Sequence, residues 1–305
     1  MEEYVLRTHN LTKRYGDKVV VDNVNISIKK GDIYGLIGRN GAGKTTFIRM
    51  ITDLTCATSG SLELFGKKDG KGLVEERKRI GGIIETPVLY NGLTAKQNLE
   101  YYRIFSGIAD KNIIEKLLDT VGLEDTGKKK VKDFSLGMKQ RLGLALAILG
   151  NPDFIILDEP INGLDPIGIV EMRNIIKRLN TEFEITVLIS SHILPELSQI
   201  ATKYGIINEG KLVKEVTKQQ LDEECVRSLL VEVDDVHKAT IVMESSLNTT
   251  NYVVVDNHKI RLYDYLDNPS EVTYQLNNQG VRVSSISEFG IDLENYFINV
   301  IGEVK

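Results

Sequence analysis

Cysteine is scarce in this chain of 305 residues, basic residues are not in excess, and no long apolar run occurs. The two cysteines, Cys56 and Cys225, lie far apart without metal-ligand spacing, so reduced cytosolic thiols are the plain reading. A formal net charge of −5 speaks against a nucleic-acid binder, which usually carries a basic excess or patch. The basic cluster Lys128-Lys129-Lys130-Val131-Lys132 reads as a solvated loop. No uninterrupted apolar run approaches the roughly 18 residues that a membrane helix needs. The acidic start Met1-Glu2-Glu3 does not read as a signal peptide. The expectation is therefore that, if the protein works at a membrane, another chain supplies the membrane part. Internal repeats and low-complexity tracts are also missing. What remains is an ordinary globular composition, 42% apolar and 27% charged, at a length that suits one large domain and a small one.

The chain is organised around Gly38-Arg39-Asn40-Gly41-Ala42-Gly43-Lys44-Thr45-Thr46, which fits the phosphate-loop pattern G-x-x-x-x-G-K-[ST]. A strand-like run, Ile33 to Ile37, precedes it, and a helical run from Thr46 follows. Such a loop turns backbone N–H groups inward, and the helix N-terminus adds partial positive charge beneath a phosphate. Lys44 would reach the β- and γ-phosphates of a nucleotide, and the Thr45 hydroxyl would ligate Mg²⁺. The bland alternative is a glycine-rich turn between a strand and a helix.

Before the loop, Tyr4-Val5-Leu6, Val19-Val20-Val21 and Val24 to Ile28 read as strands, with Tyr15 between them. After it, the pattern predicts a helix ending near Ser59-Gly60, then strands at Leu62–Gly66 and Ile80–Ile84 with a charged surface segment between. A mainly helical region follows from Thr94 to Leu123, and Ser135 is placed as N-cap of an apolar helix. Phe154-Ile155-Ile156-Leu157 reads as a strand buried on both faces, ending in Asp158-Glu159-Pro160. A helix around Ile169 to Leu179 and a strand Thr186–Ile189, closed by Ser190-Ser191-His192, complete an α/β pattern with a mostly parallel sheet. After about Val216 the character changes. A charged helical run over 218–227 leads into strand, helix, two strands, helix, strand and helix, an order that suggests a small α+β domain of the ferredoxin-like kind. The expected domains are 1–217 and 218–305.

Asp158 at the end of a buried strand suits a carboxylate that holds Mg²⁺ through its waters. Glu159 is placed to polarise an attacking water as general base. With Phe134 to Arg141 upstream, these residues resemble the nucleotide-binding subunit of an ABC transporter, over about residues 2 to 216. Tyr15 is similar to the adenine-stacking aromatic, Gly38 to Thr45 to the Walker A loop, and Phe154 to Glu159 to Walker B with its catalytic glutamate. Asn162-Gly163-Leu164-Asp165 is similar to the D-loop, and His192 to the switch histidine at the γ-phosphate. Ser135 and Gly137 match the signature residues that, in the family, close on ATP held by the opposite subunit. The resemblance implies a P-loop NTPase fold with a mostly parallel sheet, an antiparallel β subdomain and a helical subdomain. It also implies ATP and Mg²⁺ as cofactors, ATP hydrolysis, a dimer, and separate polytopic membrane permease subunits at the cytoplasmic face of the membrane.

Two positions depart from the family pattern. The signature appears as Phe134-Ser135-Leu136-Gly137-Met138, which leaves the role of the replaced glutamine open. Glu85 stands where the family usually has a glutamine. A carboxylate there can accept from a water but cannot donate as an amide does. Drift at a tolerant loop is one explanation; coupling of hydrolysis to the membrane partner is the sharper one. These departures and the C-terminal extension resemble the subgroup that provides bacitracin resistance and lantibiotic self-protection. The competing expectations are another exporter of the same membrane type (for drugs, lipids or polysaccharides), an importer subunit, and a soluble ATPase acting on ribosomes or nucleic acid.

Overall fold

The computed structural model describes residues 3–68, 70–225, 227–290 and 293–302. Met1, Glu2 and residues 303–305, at the two ends of the expected domains, lie outside the described residues, as does Val226 within the helical run expected over 218–227. Contacts divide the chain into two units, one running to Lys218 and the other spanning Gln219–Gly302.

The first unit opens with β1 (Tyr4–Tyr15), β2 (Lys18–Val24) and β3 (Ser27–Lys29). β1 turns at Asn10, where φ is 49°, and so serves β2 with its second half and β3 with its first. The single strand expected over 24–28 is interrupted at Asn25. Its side chain accepts from the Asn10 N–H at 2.7 Å and donates to the Asn23 carbonyl at 2.9 Å, a local pattern that competes with the ladder. β4 (Ile33–Ile37) then delivers the chain to the phosphate loop and α1 (Lys44–Ile51). α1 stops well short of Ser59, because Asp53 takes a left-handed φ of 66° and Leu54 N–H returns to the Arg49 carbonyl at 2.8 Å. β5 (Ser59–Leu64) pairs antiparallel with β1.

The charged segment expected between strands forms α2 (Gly70–Arg77) ahead of β6 (Ile80–Ile83). The helical region that follows consists of α3 (Ala95–Phe105) and α4 (Ile113–Thr120), and a capping box between Thr94 and Gln97 starts α3. Next come α5 (Leu136–Ile148), β7 (Phe154–Asp158), α6 (Pro166–Phe183), β8 (Thr186–Ser191) and the short α7 (Leu194–Ser198). The unit ends with a hairpin of β9 (Lys203–Asn208) and β10 (Lys211–Thr217), which the sequence reading passed over. Its turn residues Glu209 and Gly210 both have positive φ, the geometry that matches strand twist in a two-residue hairpin.

The main sheet has the order β10-β9-β4-β8-β7-β6 and is parallel except at that hairpin. Every residue of β4, β7 and β8 is buried, which explains their unbroken apolar runs. Phe47, Ile48 and Ile51 of α1 share one core with Leu36, Ile156 and Leu188 of this sheet and with Leu6 and Leu64 of the antiparallel one. α1 is thereby wedged between two sheets, and the phosphate loop at its start is held rigidly.

In the second unit, α8 (Lys218–Cys225) leads to β11 (Ser228–Val233), α9 (Val236–Ser245), β12 (Tyr252–Val254), β13 (Lys259–Leu262), α10 (Pro269–Asn278), β14 (Val283–Phe289) and α11 (Leu293–Gly302). The sheet order is β12-β13-β11-β14, antiparallel throughout. Val231, Ile260 and Leu262 pack with Val242, Met243, Val272 and Leu276 of α9 and α10 in a separate core.

One close approach fixes the helical part of the first unit to its sheet. A Cβ on Gly81 of β6 would lie 1.9 Å from the Ala147 carbonyl oxygen of α5. Gly81→Ala should therefore lower stability by about 1–3 kcal/mol, the usual range for overpacking. The urea midpoint measures this, and an unchanged midpoint would show that β6 and α5 separate without cost.

Candidate nucleotide-binding site

The loop 38–43 joins β4 to α1, and its shape depends on a glycine at the helix start. Gly43 has φ 106°, and a Cβ there would stand 2.6 Å from the Val20 carbonyl oxygen. As N-cap it brings no side chain to the first amides of α1, whereas Ser135, Asp165 and Asp235 cap α5, α6 and α9 with theirs. The N–H groups of the first turn of α1 thus remain for an anion. Within the loop, Ala42 N–H bonds the Arg39 carbonyl at 3.1 Å, and Gly38 N–H bonds Ser191 of β8 at 3.2 Å.

Lys44 is buried to 6% exposure and folds back over the loop, donating to the Gly38 carbonyl at 2.7 Å and the Arg39 carbonyl at 3.3 Å. Its ammonium also lies 3.1 Å from Glu159 Oε1. Glu159 follows β7 in a left-handed conformation, φ 51°, a strain of roughly 1–3 kcal/mol that the surroundings must impose. Here its N–H is held by the Ser190 hydroxyl at 3.0 Å and the Ser190 carbonyl at 3.3 Å. The turn aims the carboxylate back at the phosphate loop. Its second oxygen, Oε2, is 2.6 Å from His192 Nδ1. Glu159 therefore bridges Lys44 and His192.

Beside this triad, Thr45 Oγ1 donates to Asp158 Oδ2 at 2.8 Å, and Ser190 Oγ donates to Asp158 Oδ1 at 2.5 Å. A hydroxyl next to a buried carboxylate, both hard oxygen donors, fits Mg²⁺. Among the described residues, no group of three or more His, Cys, Asp or Glu could hold a metal ion alone.

A cavity of about 240 Å³ opens over these groups, lined by Asn40, Gly41, Gly43, Lys44, Thr45 and Thr46, by Glu159 and Asn162, and by Val20 of β2. The other expected residues stand apart from it. Tyr15 is half-exposed, with Lys13 Nζ 4.8 Å from its ring centroid and Thr55 Oγ1 3.4 Å from its hydroxyl. Ser135 accepts from Met138 N–H at 3.2 Å as N-cap of α5, and a Cβ on Gly137 would meet Leu164 at 3.8 Å. Asp165 caps α6 by accepting from Gly168 N–H at 2.9 Å. The segment 162–165 thus runs from the cavity at Asn162 to the start of α5. Glu85 pairs with Arg49 of α1. Ser190 and Arg49 were missed as site residues. Serine and arginine carry no motif there, and only the parallel register of Asp158 with Ser190 brings that hydroxyl to the carboxylate.

Comparison with known proteins agrees with this geometry. A family model described as "ABC transporter" matches residues 21–162. The chain is 45% identical over 298 residues to the bacitracin transport ATP-binding protein BcrA of Bacillus licheniformis, covering 98% of this chain and 97% of that protein. It is also 45% identical over 211 residues to the lantibiotic transport ATP-binding protein SrtF of Streptococcus pyogenes, covering 69% and 90%. Among solved structures, a dimeric post-hydrolysis state of the ATP-binding cassette MJ0796 with ADP and Pi superposes with a TM-score of 0.62 at 26% identity, covering 70% of this chain and 98% of that one. With its phosphate loop, Asp158 and Glu159 gathered at one edge of a parallel sheet, the chain belongs to the ATP-binding proteins of the ABC transporter family.

Proposed function

We propose that this chain is the ATP-hydrolysing subunit of an exporter for bacitracin-type or lantibiotic antimicrobial peptides, serving resistance or self-protection. The observation that carries the reading is the convergence of Lys44, Thr45 and Glu159 on one cavity, with Asp158 hydrogen-bonded to Thr45 beside it. The names of BcrA and SrtF support the substrate class. The ATP phosphates would lie over the first turn of α1, with Lys44 on the β- and γ-phosphates and Tyr15 near the adenine. Thr45, with Asp158 acting through waters, would hold Mg²⁺, which neutralises phosphate charge during transfer.

Lys44 turns from Glu159 to phosphate when nucleotide binds, which frees the Glu159 carboxylate. Glu159 then takes a proton from water as the oxygen attacks the γ-phosphorus and ADP leaves. His192, bonded to Glu159 through Nδ1, keeps that carboxylate aimed and has its other ring nitrogen for a γ-phosphate oxygen. Ser135 and Gly137 would close on the ATP of a second copy, with Asp165 setting the loop between. The dimeric state of MJ0796 supports this arrangement.

The membrane partners would be separate polytopic subunits, with this chain peripheral at the cytoplasmic face. No helix among the described residues is long and apolar enough to cross a membrane. A groove of about 530 Å³ lined by Ile84, Thr86, Pro87, Val88, Tyr102 and Leu146, among others, supports docking of a membrane-subunit segment next to Glu85. We read residues 218–305 as an accessory ferredoxin-like domain. The β-α-β-β-α-β order and the strand order β14-β11-β13-β12 support that reading.

Glu159→Gln should cut hydrolysis by about 10²-fold or more, as loss of a general base does, while ATP stays bound. Turnover near wild type would show that the base is assigned wrongly. In equilibrium titration with labelled ATP, Lys44→Ala should weaken binding; unchanged affinity would overturn the phosphate-loop assignment. Affinity purification should recover a multi-span membrane protein, and its expression with this chain should raise bacitracin or lantibiotic tolerance. Recovery of ribosomes or RNA instead would favour the nucleic-acid reading.

A further inference from the structure

Arg49 takes no part in the reaction just described, and it pairs with Glu85, an acidic residue that the reaction has not used either. Arg49 lies on the same helix as Lys44 and Thr45, about 7.5 Å beyond Lys44 at 1.5 Å per residue. Its Nη2 pairs with Glu85 Oε1. Glu85 follows β6, and Ile83 there is in register with Leu157, the residue before Asp158. Glu85 therefore leaves the sheet at the edge where Asp158 and Glu159 stand. Its carboxylate is nevertheless drawn down α1 to Arg49, and the residue is absent from the lining of the cavity over Lys44.

Two features make this pair easy to exchange. The Glu85 backbone is left-handed, φ 66°, a conformation that costs energy in a residue with a Cβ and persists only when something holds it. The two side chains are 42% and 58% exposed, so water and salt weaken the attraction. A divalent cation beside Thr45 and the buried Asp158 would offer two positive charges in a less screened setting. We propose that Arg49 is a positioning residue that parks the Glu85 carboxylate on α1 and releases it to the divalent cation bound with nucleotide at Thr45 and Asp158. Breaking the pair also frees the 84–88 segment, whose Ile84, Thr86, Pro87 and Val88 line the groove described above. This rests on the ATPase reading and deepens it.

The test uses the full chain, a non-hydrolysable ATP analogue and Mn²⁺ as probe, with free Mn²⁺ read by its paramagnetic resonance signal. Arg49→Gln should tighten nucleotide-dependent Mn²⁺ binding by roughly two- to five-fold, the scale of an exposed ion pair. Arg49→Lys, which keeps the charge, should stay nearer wild type. In a Glu85→Gln background the same Arg49→Gln change should shift Mn²⁺ binding by much less. An equal shift in both backgrounds, or none in either, overturns the proposal. Thermal melting of each variant separates these outcomes from loss of fold. A wild-type chain with no nucleotide-dependent Mn²⁺ site would overturn the ATPase reading as well, so the two failures are distinguishable.

Discussion

The hydrogen bond from Thr45 to Asp158 joins residues 113 apart in sequence and is the constraint on which the site depends. It forms because β4 and β7 both flank β8 in one parallel sheet, so both chains leave the sheet at the same edge. The loop after β4 enters a helix whose first amides await an anion. The turn after β7 presents two carboxylates. Ser190, at the end of β8 between them, donates to Asp158 and holds the Glu159 backbone. One sheet edge thus supplies cation, anion and hydroxyl within a few ångströms, and the buried core beneath keeps them there.

Charge is arranged around that edge in pairs that nucleotide would rearrange. Lys44 and His192 are both bonded to Glu159, and Arg49 to Glu85. Each of these carboxylates sits on a left-handed residue, an unfavourable backbone for a side chain with a Cβ. Of the two, Glu159 lies against the phosphate loop at Lys44, whereas the Glu85 carboxylate is held further along α1. The charge of Glu85 is neutralised on α1 by Arg49.

The C-terminal unit stands on its own physical footing. Its core draws on one face of an antiparallel sheet and the inner faces of α9 and α10, so β11 and β13 alternate buried and half-buried residues, as in Leu229 to Val233. That contrasts with the unbroken burial of β4, β7 and β8. Parallel strands covered on both faces and antiparallel strands covered on one leave different marks on a sequence.

Those marks decided what could be read without coordinates. The phosphate loop, the buried strand before Asp158 and the alternating elements of 228–302 were legible, because they follow from local pattern and spacing. The end of α1 at Ile51 and the break at Asn25 were not, since left-handed φ at Asp53 and side-chain bonds from Asn25 override the apolar pattern. Sequence by itself determined which residues could bind phosphate and which could take a proton. Only the tertiary structure decided that Glu159 bridges Lys44 and His192, that Ser190 serves Asp158 and that Arg49 holds Glu85. Those contacts are set by strand register and by the turn at each strand end, and no short stretch of chain encodes either.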